Sequence, residues 1–108
     1  MGWIHISYFF GGAFVTNALP HFISGLMGRP FQSPFAKPPG KGLSSSTVNV
    51  LWGFFNLAVG YVFICRVGNF DSRSTDHIVA LGLGSLVMGV LLARSFGRLH
   101  GGNSPGGS

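Results

Sequence analysis

The sequence predicts an all-α integral membrane protein, with three transmembrane helices packed as a small bundle. Only 8% of its 108 residues are Asp, Glu, Lys or Arg, against roughly 25% in an ordinary soluble domain. Its hydrophobic residues, 46% of the chain, fall into three long blocks separated by polar or proline-rich stretches, which is typical of membrane spans. A soluble helical protein this poor in charge would lack the groups that cover a water-facing surface.

The first helix is predicted over residues 3–27, a length of roughly 37 Å, which is enough to cross a bilayer with some tilt. Pro20 lies inside this block. Because proline has no N–H to donate, we expect a kink near Asn17. No basic residue precedes Arg29, so the pattern of a cleaved signal peptide is not met and the helix is expected to be retained.

A long loop rich in proline and glycine is predicted from Arg29 to Ser45. Proline and glycine interrupt both helix and strand hydrogen bonding, so we expect no regular structure in this segment. At about 17 residues it is also long for a connection in so small a protein. The residues responsible are Pro30, Pro34, Pro38, Pro39, Gly40 and Gly42.

The second and third helices are predicted over residues 46–66 and 77–96, joined by a short polar connection. A cluster of serines and a threonine precedes the second helix and offers N-cap candidates, and Asp76 is a candidate N-cap for the third. The three helices are expected to form a single membrane domain, 1–100. The Gly/Ser-rich tail, 101–108, is expected to be disordered.

The cations are distributed unequally between the two sides of the predicted bundle. Three crossings place the first loop and the C-terminus on one side, with five cations, and leave Arg66 and Arg73 on the other. The positive-inside rule therefore predicts an outside N-terminus and a cytoplasmic C-terminus, as in a small multi-pass protein of a bacterial inner membrane. The five cations, which we expect to contact the head groups of anionic lipids, are Arg29, Lys37, Lys41, Arg94 and Arg98.

Each predicted helix carries one stripe of polar or small residues at helical spacing. Amides facing lipid are costly, so each stripe should face protein, and the small residues allow two backbones to approach closely. The stripes are Asn17, His21 and Ser24 on the first helix, Asn49, Gly53, Asn56 and Gly60 on the second, and Gly82, Ser85 and Gly89 on the third.

Two interpretations of these stripes stay open. The first is a structural helix interface, in which His21 donates or accepts an interhelical hydrogen bond with Asn49 or Asn56. The second is a polar path for an ion or a small solute, lined by the same residues together with Asn17.

Enzymatic chemistry is not expected. The chain has no Glu, and its two acids, Asp71 and Asp76, occupy one short connection, so no acid–base pair can be built around a substrate. Cys65 is the only cysteine, which rules out a disulfide within the chain and a cysteine-based zinc site.

No cofactor is predicted either. His5 and His21 lie 16 residues apart on one helix, roughly 24 Å along its axis, so they cannot ligate one haem iron. His5 and His77 could meet at the outer surface beside Asp76, but ordinary structural roles account for these residues and we expect neither haem nor a metal.

The sequence therefore favours a small non-enzymatic membrane protein that acts by association. It would be a homo-oligomer, or an accessory subunit of a larger membrane assembly, in a bilayer containing anionic lipids. The alternative is an oligomeric transporter or channel with an Asn/His-lined path. No nucleic-acid partner is expected, because the cations lie at the ends of apolar blocks and form no basic patch.

Overall fold

The computed structural model describes residues 2–104 and 106 and is built from three long helices. Helix α1 runs over Gly2–Leu26, helix α2 over Ser46–Tyr61 and helix α3 over Thr75–His100. A π-helical turn, Val62–Arg66, continues α2.

Two of these helices are long and apolar enough to cross a membrane. Within the part of the chain that the structure describes, they are Ser46–Arg66, which is α2 with its π turn, and Thr75–His100. The most apolar 18-residue windows of these two segments have mean hydropathies of 1.8 and 1.9. Helix α1 has 25 residues but is not one of the two, because histidine, asparagine, serine and threonine side chains are spread along it. Hydropathy therefore identifies two spans where the sequence predicted three.

Helix α1 lies in the middle, packed against α2 on one side and α3 on the other, whereas α2 and α3 have little contact with each other. The first pair is antiparallel, since Asn17 contacts Asn56 and His21 contacts Asn49. The second pair is parallel, since His5 contacts Asp76 near the start of α3 and His21 contacts an aromatic ring near its end. Helix α1, along which polar side chains are spread, is thus the helix with the most protein around it.

The face of α3 that meets α1 is shifted from the predicted one, although it still includes Ser85. Gly82 is exposed, and a Cβ built there would have nothing within 4 Å. The close approach occurs at buried Gly84, where a Cβ would overlap the carbonyl oxygen of Phe9. Gly82 therefore takes no part in the α1–α3 contact within the chain. Gly82 and Gly84 are about 200° apart around the helix axis, so they lie on nearly opposite faces. Either glycine is small enough to allow a close helix–helix contact.

Helix α3 is longer than the predicted 77–96. It begins after Ser74, which is the N-cap and whose hydroxyl donates to the Asp76 carboxylate, so Asp76 lies in the first turn and not at the cap. It continues through Gly97 to His100 and ends at Gly101, whose φ of +80° gives the left-handed C-cap. Helix α1 starts and ends one residue earlier than predicted, and α2 with its π turn covers 46–66.

The connection between α1 and α2 contains a small β-hairpin, which the sequence analysis did not expect. Strand β1, Phe31–Gln32, pairs antiparallel with strand β2, Leu43–Ser44. The hydroxyls of Ser33 and Ser44 lie 2.6 Å apart, and the Gly40 N–H donates to the Ser33 carbonyl at 2.8 Å. The strands are possible because the later prolines all fall in the tip between them, where no ladder bond is lost.

The start of the C-terminal tail folds back onto α3. The Asn103 side chain donates to the Arg94 carbonyl at 2.9 Å and lies against Gly97. This bond attaches the start of the tail to the last two turns of α3. Disorder was predicted for the whole tail, 101–108. Three of these residues, 105, 107 and 108, lie outside the described residues.

Candidate functional site

The candidate site is the polar interface between α1 and α2. The buried residues of α2 are Asn49, Gly53, Asn56 and Gly60, the four that helical spacing places on one face. Asn49 and Asn56 are both 0% exposed. A buried amide is tolerated only when its donors and acceptor find partners, so those partners define what this interface can do.

Asn49 joins three elements. Its side-chain nitrogen lies 3.0 Å from the Phe31 carbonyl, 3.2 Å from that of Ser44 and 3.1 Å from that of Ser45. Its side-chain oxygen lies 3.0 Å from Nδ1 of His21, which is 3% exposed. Since the amide oxygen can only accept, the His21 Nδ1–H is the donor. Asn49 therefore holds α1 and the hairpin on the first turns of α2.

Asn56 forms a second polar pair, about two turns further along α2. The Asn17 amide nitrogen donates to its oxygen at 3.0 Å, and its own nitrogen donates to the Trp52 carbonyl at 2.8 Å. The two pairs are spaced i, i+4 on α1 and i, i+7 on α2, so both lie on the faces that the antiparallel packing brings together. The polar groups thus bond one another across the interface.

Small residues set the distance between the helices. A Cβ on Gly53 would lie 2.7 Å from the Phe22 backbone nitrogen, and one on Gly60 would lie 2.6 Å from Cγ2 of Val15. Both separations are below normal van der Waals contact. The hydrogen bonds on either side of Gly53 can be made because the backbones approach this closely.

The remaining predicted interface residues have weaker contacts. Ser24 is half-buried, one turn beyond His21. Ser85 donates to the Gly12 carbonyl at 3.2 Å. Gly89 is half-buried, with Thr16 Cγ2 3.9 Å from where its Cβ would be.

A cavity of about 340 Å³ opens beside the His21 pair, and the sequence analysis did not anticipate it. Its walls include Asn17, His21, Gln32, Trp52 and Ser95. The indole Nε1 of Trp52 is buried and has no hydrogen-bond partner among the described residues. The cavity forms because the hairpin and α3 meet above α1, which no local pattern encodes.

The hairpin is attached to α3 by residues assigned no role from the sequence. Gln32 is 6% exposed and lies 3.1 Å from Nε2 of His100. The Phe31 ring packs edge-on against Phe96 at 4.8 Å and contacts the His100 ring at 5.6 Å. Phe96 and His100 are spaced i, i+4 on α3, which is the signal that could have identified this contact.

A histidine cluster lies at the opposite end of the molecule. His5 Nε2 is 2.6 Å from the Asp76 carboxylate, and the His5 and His77 rings are 5.9 Å apart. His77 Nδ1 accepts from the Asp71 backbone N–H at 3.0 Å. Over residues 2–104, no group of three or more His, Cys, Asp and Glu side chains is arranged to hold a metal ion. These contacts join α3 and its preceding turn to the start of α1.

The five cations predicted to contact lipid are all exposed. Arg29, Lys37 and Lys41 belong to the connection that contains the hairpin, and Arg94 and Arg98 lie in the last two turns of α3. The end of the molecule that carries the hairpin is therefore strongly basic, whereas both acids lie at the other end.

Fold and site together define a helical protein with two helices able to span a bilayer and a hydrogen-bonded polar interface beneath a small hairpin. Comparison of the chain with protein-family models, curated proteins and solved structures found no match.

Proposed function

We propose that the chain crosses a membrane three times, with α1 as the third crossing. At 25 residues the helix is roughly 37 Å long, which exceeds the hydrocarbon thickness. Its low hydropathy is compatible with a span because α2, α3 and the hairpin cover its polar side chains. The directions of the helices, antiparallel for α1 and α2 and parallel for α1 and α3, are those of three successive crossings.

We propose further that the N-terminus lies outside and the C-terminus in the cytoplasm of a bacterial inner membrane. The basic end of the molecule, with Arg29, Lys37, Lys41, Arg94 and Arg98, would then contact the anionic inner leaflet.

In this membrane we propose a non-enzymatic role by association, either as a homo-oligomer or as an accessory subunit of a larger assembly. One observation carries the proposal: the buried side chains of Asn49 and Asn56 on α2 are hydrogen-bonded to α1 within the chain. Asn49 pairs with His21, and Asn56 pairs with Asn17. Polar side chains that are hydrogen-bonded to one another inside the chain stabilise the fold. The outer faces of the two apolar spans stay uncovered, with 22% and 11% of their most apolar windows buried, so they are available to lipid and to partner helices.

The size of the protein extracted from membranes tests this role. We expect the 11.4 kDa chain, solubilised in a mild detergent, to elute as a larger protein species in light-scattering measurements that subtract the detergent. Cross-linking in intact membranes before extraction should give the same stoichiometry, or capture one defined larger protein. A stable monomer in both experiments would refute the proposal.

Transport remains the second candidate because of the 340 Å³ cavity. The polar side chains of Asn17, His21 and Gln32 line it. Among the described residues the buried Trp52 indole N–H has no hydrogen-bond partner, and together these groups give a small solute an entrance next to His21. Three helices cannot enclose a pore alone, so several copies would be needed. His21→Ala and Asn56→Ala should then change solute flux into proteoliposomes without changing the oligomer. Loss of the oligomer in these variants would favour the structural role.

A further inference from the structure

A second cavity lies between the tip of the hairpin and the last turns of α3. Its volume is about 570 Å³, within the range of small-ligand sites. Each of the two elements contributes one cation. The walls are formed by Pro39, Gly40 and Lys41 of the hairpin and by Ser95, Arg98 and Leu99 of α3.

The two halves of this cavity are held in place by separate contacts. Within the hairpin tip, the Lys41 N–H donates to the Pro38 carbonyl at 3.0 Å and the Gly40 N–H donates to Ser33 at 2.8 Å. Between the hairpin and α3, Gln32 is bonded to His100. Lys41 and Arg98 therefore share one cavity because of the tertiary fold, although they are far apart in sequence.

Among the described residues, no acidic side chain lies near these two cations. Its only carboxylate side chains are Asp71 and Asp76, and both lie at the other end of the molecule, where Asp76 is paired with His5. Two cations that line one cavity repel each other, and an anion held between them removes this repulsion. A bound anion would supply the counter-charge that the described side chains around the cavity lack.

The side chains indicate which anion fits. A guanidinium binds two phosphate oxygens at once, an ammonium binds phosphate as a point charge, and a serine hydroxyl donates one more hydrogen bond. Leu99 and Pro39 add apolar wall, which suits a ligand whose phosphate is attached to an apolar body. The last turns of a membrane-spanning α3 lie at the level of the lipid head groups.

We propose that this cavity is a specific site for the phosphate of an anionic phospholipid head group, and that the side chains of Lys41 and Arg98 bind the phosphate. The inference rests on the proposed membrane location and narrows it, since it assigns to two of the five basic residues a role that the other three do not share.

Binding of short-chain lipids to the full chain in neutral detergent tests the site. The probes are dihexanoyl phosphatidylglycerol, dihexanoyl phosphatidylcholine and inorganic phosphate, each titrated at fixed ionic strength and followed by native mass spectrometry. The test variants are Lys41→Gln and Arg98→Gln. The matched controls are Lys37→Gln and Arg94→Gln, which remove the same charge from the same end of the molecule outside the cavity.

We expect one phosphatidylglycerol to bind per chain, with little binding of phosphatidylcholine. Lys41→Gln and Arg98→Gln should each weaken binding at least ~10-fold, compared with less than ~5-fold for a control that removes only general attraction. Equal losses in all four variants, or equal binding of the two lipids, would overturn the proposal. Binding of inorganic phosphate with the same pattern among the variants would support the site and identify the free anion as its ligand. If the protein is membrane-embedded but binds the two lipids equally well, the proposed phosphate site is refuted. The proposed role by association is not affected by that result.

Discussion

Replacing either of two neighbouring glycines of α3 by alanine should have opposite effects on stability. At Gly84 the added Cβ would lie 2.6 Å from the Phe9 carbonyl carbon and 2.9 Å from its Cα, besides overlapping the carbonyl oxygen. All three atoms belong to the α1 backbone, which cannot rotate away as a side chain could. At Gly82 the same Cβ would meet nothing within 4 Å.

The magnitude follows from two terms. Alanine in a helix interior is more stable than glycine by about 0.5–1 kcal/mol, and this gain applies to both variants. Carbon atoms in contact are normally about 3.5–4.0 Å apart, so in the Gly84→Ala variant α1 and α3 must separate by roughly 1 Å. Overpacking of this kind costs about 1–3 kcal/mol. Because the helix term cancels, Gly84→Ala should be less stable than Gly82→Ala by about 1–3 kcal/mol.

The free energy of unfolding can be measured by adding sodium dodecyl sulfate to the protein in a mild detergent and following helix content by circular dichroism. We expect Gly82→Ala to unfold at or above the wild-type midpoint and Gly84→Ala below it. Equal midpoints for the two variants, or the reverse order, would refute the parallel packing of α1 against α3 through Gly84.

Three further predictions concern the α1–α2 interface and the topology. His21→Ala should lower the free energy of unfolding by about 1–3 kcal/mol, because the buried Asn49 oxygen loses its donor; the same detergent titration measures this. A double-mutant cycle of Asn17→Ala and Asn56→Ala should give a coupling energy of about 0.6–1.7 kcal/mol, the range of interhelical hydrogen bonds in membranes. Cys65 is exposed in the π turn at the end of α2, and with an outside N-terminus a membrane-impermeant maleimide should label it in intact cells or spheroplasts.

Each of these three experiments has an internal control. Ser24→Ala removes a half-buried hydroxyl one turn from His21 and should change stability by less than about 0.5 kcal/mol, so a loss as large as that of His21→Ala would contradict the first prediction. A coupling energy near zero would contradict the second. For the third, a Cys65→Ser chain carrying Ser104→Cys should react only after permeabilisation, and the opposite labelling pattern would invert the proposed topology.

The interface of α2 could be read from its sequence because one face alone carries polar and small residues. Asn49 and Asn56 are costly in lipid, and together with two glycines they leave a single orientation for the helix. Helix α3 offers no such choice. Its glycines lie on several faces, and no asparagine marks any one of them. Periodicity therefore could not distinguish Gly82 from Gly84, whereas the close approach of the α1 backbone does.

Tertiary contacts also account for what the sequence analysis missed around the site. The hairpin strands are two residues each, too short to give an alternating pattern, and they are held by Asn49 and by the side chains of α3. The third helix was predicted to end at residue 96, yet α3 continues to His100 and this residue is bonded to Gln32. Cavities arise where such elements meet, so neither of the two polar cavities had a local signal.

The central position of α1 has a consequence for how the protein is made. The ribosome completes α1 first, but the partners of His21 and Asn17 follow 28 and 39 residues later in the chain. Until α2 emerges, the two side chains would face lipid or the insertion machinery without a hydrogen-bond partner. With α1 as the proposed third crossing, we therefore expect α1 and α2 to enter the bilayer together as a pair. Helix α3 would then pack its glycine face onto these two helices.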